Sequence, residues 1–117
     1  MTDSLDRVRA TALELPETDE RVSHGQPTFF VAGKQFAQFR ANHHGDGRTV
    51  VCVRIGNLDE QAMLLEADPE TYSKPAYLPS WIGINAGDKA DWDLISDRIA
   101  ASWGLAAPRR LLEAGGR

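Results

Sequence analysis

The chain has 117 residues, 42% of them hydrophobic and 26% charged, with a net charge of −4, which suits one globular core and excludes both a second core and a mainly disordered chain. No apolar run approaches the roughly 20 residues that cross a bilayer, the N-terminal stretch MTDSLDRVRA has no signal-peptide core, and the single cysteine, Cys52, excludes an internal disulfide. These features predict a cytoplasmic domain with no membrane partner, and the acidic balance removes the general attraction to nucleic-acid phosphates that a basic protein has.

In chain order, Leu5, Val8, Ala12 and Leu15 fall on one stripe of a first helix. Thr2 or Asp3 can cap it and Pro16 stops it. From about Arg21 to Ile55 the pattern changes to strands: a short one around Val22, then 27–31, then 35–41 beyond the Ala32-Gly33 turn, then the β-branched run 49–55. The break at 42–47, Asn-His-His-Gly-Asp-Gly, is rich in turn formers. Asn57 with Glu60 has the form of a capping box for a second helix that ends at Asp68-Pro69. Two more strands are predicted over 72–77 and 81–85, the first of them an edge or irregular strand because of Pro75. A third helix is expected from about Lys89 to Trp103, capped by Asp88 and closed by Gly104, with Trp92, Ile95, Ile99 and Trp103 on one face. Pro108 opens a last short helix through Ala114. The order is α-β-β-β-β-α-β-β-α-α in a single domain over 1–117. Strands joined by hairpins with helices outside them predict an α+β, two-layer sandwich: an antiparallel sheet with helices packed on one face.

Three stretches carry a resemblance. Ser23-His24-Gly25-Gln26-Pro27-Thr28-Phe29 leads into Gly33-Lys34-Gln35-Phe36-Ala37. Lys74-Pro75-Ala76-Tyr77 precedes the Trp81 strand, and Ala107-Pro108-Arg109-Arg110-Leu111 follows an amphipathic helix. In this order they resemble the MmcQ/YjbR family of small bacterial proteins. The chain departs from the family pattern in Leu78-Pro79-Ser80, where many members have a Gly- or His-containing turn, and in Arg109, where Lys is frequent. The resemblance implies a frataxin-like or secretion-chaperone-like two-layer fold. It also brings a DNA-binding label that rests on fold shape.

Strict alternation gives the candidate site. In the third and fourth strands it places Ala37, Phe39, Val51 and Val53 under the helices. The even positions of the third strand, Gln38 included, then point the other way, and that face carries Lys34, Arg40, Arg48 and Arg54, with Phe36 among them and Trp81 beside them. Cations interleaved with aromatics can hold nucleic acid by pairing phosphates and stacking bases. The same face would suit an acidic protein or an anionic small molecule, held together with the 77–81 loop. The plain alternative is a solvated strand face with Phe36 and Trp81 under a loop. Arg109 and Arg110 are further candidates at the start of the last helix, where an anion could bind, although solvation, or pairing with acids such as Glu113, is the plainer explanation.

No enzyme is expected. Serine-hydrolase, P-loop and dinucleotide fingerprints are missing, Cys52 has no base at a recognisable spacing, and no cofactor is implied. His43, His44 and Asp46 share a turn but lack metal-ligand spacing. The acids Asp88, Asp91, Asp93 and Asp97 are explained by a helix start, whose dipole favours negative charge. The leading expectation is a non-enzymatic binding protein, with DNA as its partner on the basic, aromatic sheet face. The alternative is a protein-interaction or small-ligand module using that face.

Overall fold

Each long helix starts where a short polar side chain can receive an unpaired backbone N–H. The computed structural model describes residues 3–42, 45 and 47–113. In helix α1 (Ser4–Leu13) the Asp3 carboxylate accepts from the Asp6 N–H at 2.8 Å. In α2 (Leu58–Ala67) Asn57 accepts from Glu60 N–H at 2.8 Å, as its capping-box spacing predicts. Helix α3 (Trp92–Ala106) starts later than expected, because Asp91 and not Asp88 is its cap, accepting from Leu94 N–H at 3.1 Å. The reason is Lys89, whose φ of 63° is left-handed and cannot belong to a right-handed helix. Gly104 does not close α3 either. The helix continues to Ala106 and stops because Pro108 forces Ala107 into extended backbone (φ −64°, ψ 143°). The last helix, α4, covers Arg109–Glu113.

The strands are β1 (Thr18–Ser23), β2 (Gln26–Val31), β3 (Lys34–Ala41), β4 (Thr49–Arg54), β5 (Tyr72–Ser73) and β6 (Trp81–Asn85). Among the described residues they form one antiparallel sheet in the order β1-β2-β3-β4-β6-β5. The predicted element order and the α+β architecture are therefore found. β1 begins three residues earlier than expected. β5 is only two residues long and lies at the edge, since the chain leaves the sheet at Lys74-Pro75. The two tight turns, His24-Gly25 and Ala32-Gly33, each have positive φ at both residues (53° and 78°, 48° and 86°), the geometry whose twist matches a right-handed hairpin.

The rows Phe39–Val51–Ile84–Tyr72 and Phe29–Ala37–Val53–Ile82 share the face under the helices. There they meet Val8, Ala12, Ile95, Ile99 and Trp103 in one buried core. α3 packs across β3 and β4, α1 lies against α3 and β1, and α2 leans on β5 and is tied to α3 by Arg98–Glu60 at 3.4 Å.

One irregularity changes the face of two residues. Phe29 pairs with Ala37 but Phe30 pairs with Gln35, so β3 carries an extra residue, Phe36, opposite that step. A bulge of this kind shifts the alternation by one. Phe36 is fully buried within the helix-side core, and Gln35 comes to the opposite face with its partner Phe30. The Ser102 hydroxyl on α3 closes the gap in the ladder: it donates to Phe36 C=O at 2.5 Å and accepts from Arg54 N–H at 2.8 Å. The Arg54 guanidinium adds a bond from Nε to Gln35 C=O at 2.8 Å.

Candidate functional site

The face opposite the helices follows from the same register. Thr28, Gln38, Cys52, Gly83 and Ser73 form one row; Arg40 with Val50, and Arg54 with Trp81, form the rows on either side. This face is not open. After Ser73 the chain passes over it, with the Arg40 side chain donating from Nη2 to Ala76 C=O at 2.9 Å. Further along, Gln61 Nε2 donates to Pro79 C=O at 3.0 Å and to Trp81 C=O at 2.7 Å. Two side chains from distant elements thus hold both ends of the 76–81 segment.

Between that segment and the β1–β2 turn lies a pocket of about 480 Å³. Gln38 and Arg40 line it from the sheet, together with Gln35, which the bulge brings to this side. His24 and Gln26 form one rim, Tyr77 and Leu78 the other. The floor is a fixed polar chain. Thr28 Oγ1 donates to Gln26 C=O at 3.0 Å and accepts from Gln38 Nε2 at 3.0 Å, and Gln38 Oε1 accepts from Arg40 Nε at 2.8 Å. A glutamine held at both ends of its amide fixes the guanidinium plane.

Arg40 is only 6% exposed. Among the described residues no carboxylate pairs with it. Its Nε and Nη2 have the partners named above, whereas Nη1 has none among the described residues. Among the described residues no fully enclosed side-chain nitrogen or oxygen lacks a partner, so Nη1 is not sealed in protein, and Arg40 lines the pocket. A buried charge without a counter-charge costs several kcal/mol. On the rim, Tyr77 has left-handed backbone (φ 66°) without being glycine and outside any hairpin turn, a conformation that clusters at binding sites. Tyr77 is 81% exposed. Next to Arg40, burial pushes the Cys52 thiol up to about 11, and the nearby guanidinium opposes this only in part. The thiol is therefore protonated at neutral pH and unsuited to nucleophilic attack.

The expected basic, aromatic surface is corrected on these points. Phe36 is in the core because of the bulge, Trp81 is buried, and Arg40 forms the pocket floor. Arg54 is half-buried, with its guanidinium 5.2 Å from the Trp81 ring centre; burial lowers its pKa. Lys34 is exposed at the β2–β3 turn. Arg48 is exposed at the opposite end of β4, beside a second hollow of about 510 Å³ that also contains Glu70, Asp88 and Lys89. Arg109 pairs with Glu113 at 2.9 Å, and both terminal guanidinium nitrogens of Arg110 reach the Glu17 carboxylate, one of them at 2.7 Å. The hydrogen bond from Arg110 holds the Glu17 carboxyl below its usual range. Alternation had placed Gln38 and Arg40 together, but Gln35 could not be found that way, and nothing local to His24 or Gln26 announces a rim. The turn residues His43, His44 and Asp46 lie outside the described residues; among those described, no three His, Cys, Asp or Glu side chains are grouped to hold a metal. No helix among them is long and apolar enough to cross a membrane.

The family model for YjbR matches residues 13–105. The chain belongs to the YjbR family. A crystal structure of the Deinococcus radiodurans protein DR2400, described as a DUF419 domain, superposes with a TM-score of 0.71 over 90% of this chain and 78% of that one, at 17% identity. That likeness establishes the shared fold. No curated protein matches the sequence. Two of the three stretches that carry the YjbR resemblance, 23–37 and 74–77, converge on the pocket, through His24, Gln26 and Gln35 from the first and Tyr77 from the second.

Proposed function

We propose that this YjbR domain is a non-enzymatic binding protein that captures a small anion in the pocket over Arg40. The observation that supports this most directly is the buried guanidinium lining the pocket, fixed by Gln38 and the Ala76 carbonyl, with neither a carboxylate nor any partner for Nη1 among the described residues. A charge held in place this way is pre-organised for a ligand that brings the opposite charge, because little ordering remains to oppose binding. Binding is favoured over chemistry because the floor consists of amides and a guanidinium, which can hold an anion but exchange no protons near neutral pH, and the one thiol nearby is sealed.

The test is NMR of ¹⁵N-labelled protein titrated with acetate, benzoate, sulfate and inorganic phosphate at constant ionic strength. At least one anion is expected to shift the amides of Gln38, Arg40 and residues 76–78 saturably, and Arg40→Gln to abolish that response. The reading fails if no anion acts there, or if Arg40→Gln responds like the parent. A short DNA duplex titrated at low salt serves as the comparison. Salt-dependent binding that survives Arg40→Gln and maps to Lys34, Arg48 or Arg109 would favour the nucleic-acid reading instead.

A further inference from the structure

Resting on the reading that the pocket binds an anion, we infer that the ligand is a carboxylate with a single negative charge on a flat, partly apolar body, and not a phosphate ester. Three observations support this. The first is charge. Of the residues around the pocket, Arg40 brings the one guanidinium and His24 an imidazole at the rim; Gln26, Gln35, Gln38, Tyr77 and Leu78 bring no cation. One guanidinium neutralises one carboxylate, whereas a phosphate monoester brings about −1.5 to −2 at pH 7 and would leave excess negative charge in a half-enclosed site.

The second is the set of donors left over. Arg40 Nε and one Nη2 hydrogen are used by Gln38 and Ala76, which leaves both hydrogens of Nη1 and one of Nη2. A planar carboxylate takes two N–H bonds from a guanidinium with good geometry. A tetrahedral phosphate would demand donors around its remaining oxygens as well. The third is the rim. Tyr77 offers a largely exposed ring and Leu78 an apolar side chain, while the amides of Gln26 and Gln35 can donate or accept at the ligand's edge. At about 480 Å³ the pocket is much larger than a bare carboxylate group needs and falls in the range of small-molecule sites, about 300–1,000 Å³. The ligand therefore has a body beyond its charged group, of the kind that lies against an aromatic ring.

The experiment uses benzoate, phenyl phosphate, acetate and the neutral benzamide as probes of the full chain by NMR at pH 7.5. Benzoate is expected to bind saturably around Arg40 and Tyr77, with phenyl phosphate at least about tenfold weaker and benzamide showing no effect. Arg40→Lys, which keeps the charge but loses the planar fork, should weaken benzoate about tenfold or more. Tyr77→Ala, a rim change that leaves the polar floor intact, should weaken benzoate and leave acetate unchanged. Arg40-dependent binding of phenyl phosphate equal to or tighter than benzoate would overturn the carboxylate assignment while leaving the anion pocket standing. Acetate as tight as benzoate would remove the flat body. If no probe and no inorganic anion acts at Arg40, both this inference and the reading beneath it fall. Should Arg40→Lys fail to fold, the benzoate-to-phenyl-phosphate ratio in the parent chain and the Tyr77→Ala result still decide.

Discussion

Replacing Ser102 with alanine removes one oxygen atom and should cost this protein a large share of its stability. The hydroxyl is fully buried and bridges two backbone groups that the β3 bulge has separated, Phe36 C=O at 2.5 Å and Arg54 N–H at 2.8 Å. Alanine has no atom to offer either, and the site is sealed between α3 and the sheet, so water cannot readily take over. Leaving a buried donor or acceptor unsatisfied costs about 1–3 kcal/mol each, which gives about 2–4 kcal/mol once partial relaxation is allowed for. Against a typical domain stability of about 5–15 kcal/mol, that corresponds to a fall in Tm on the order of 10 °C for a chain of this length. Urea unfolding monitored by tryptophan fluorescence would measure it as a lower midpoint at unchanged slope. Hydrogen exchange of the Arg54 amide should rise more than that of its strand neighbours. Ser96→Ala on the same helix is the control and should change stability by no more than about 0.5 kcal/mol. A loss of less than about 0.5 kcal/mol for Ser102→Ala, or an Arg54 amide protected as before, would refute the role assigned to the hydroxyl. Because the bulge presents Gln35 to the pocket, benzoate affinity should fall as well.

Three further outcomes test the covered second face. Cys52 is fully buried and its thiol is pushed up to about 11 from an ordinary 9.0, so a thiol reagent at pH 8 should label it only after denaturant is added; prompt labelling of the native protein would contradict the burial. With the folded value above the unfolded one, the thiol's contribution is intact below about pH 9 and is lost as pH rises from 9 to 11, at most about 3 kcal/mol. Cys52→Ala should therefore flatten the alkaline limb of the stability profile, measured by urea unfolding at a series of pH values. At Gly83, a Cβ would lie 2.8 Å from Ser73 Oγ and 3.3 Å from Ser73 O. Gly83→Ala should then cost about 1–3 kcal/mol, and Ser73→Ala in the same chain should recover part but not all of it, because the backbone contact remains. Full additivity in that double-mutant cycle would show that the two residues do not touch.

The core was legible in the sequence because it depends on local regularity. Period-2 runs in β3 and β4, the Asn57 cap and the Ile95–Ile99–Trp103 stripe of α3 each name their element from neighbouring residues. Where the reading failed, a neighbour in the sequence misled it. Asp88 has the right chemistry for a cap, but the left-handed Lys89 follows it. Tyr72 to Tyr77 has strand-like composition, yet after Ser73 the chain is drawn across the sheet.

The candidate site divides in the same way. Alternation alone put Gln38 and Arg40 on the face away from the helices, and the 74–77 and 23–37 stretches stood out before their meeting place was known. The sequence by itself thus determined the α+β architecture, the element order and which side of β3 carries Arg40. Only the tertiary structure decided that Phe36 and Gln35 exchange faces, because the bulge is held by Ser102, 66 residues away from Phe36. Only the tertiary structure made Arg40 a pocket floor and not a surface cation, because the carbonyl that holds its Nη2 comes from Ala76, 36 residues further on. Periodicity records what each residue does beside its neighbours; burial and partnership across such distances depend on which segments the packed core brings together.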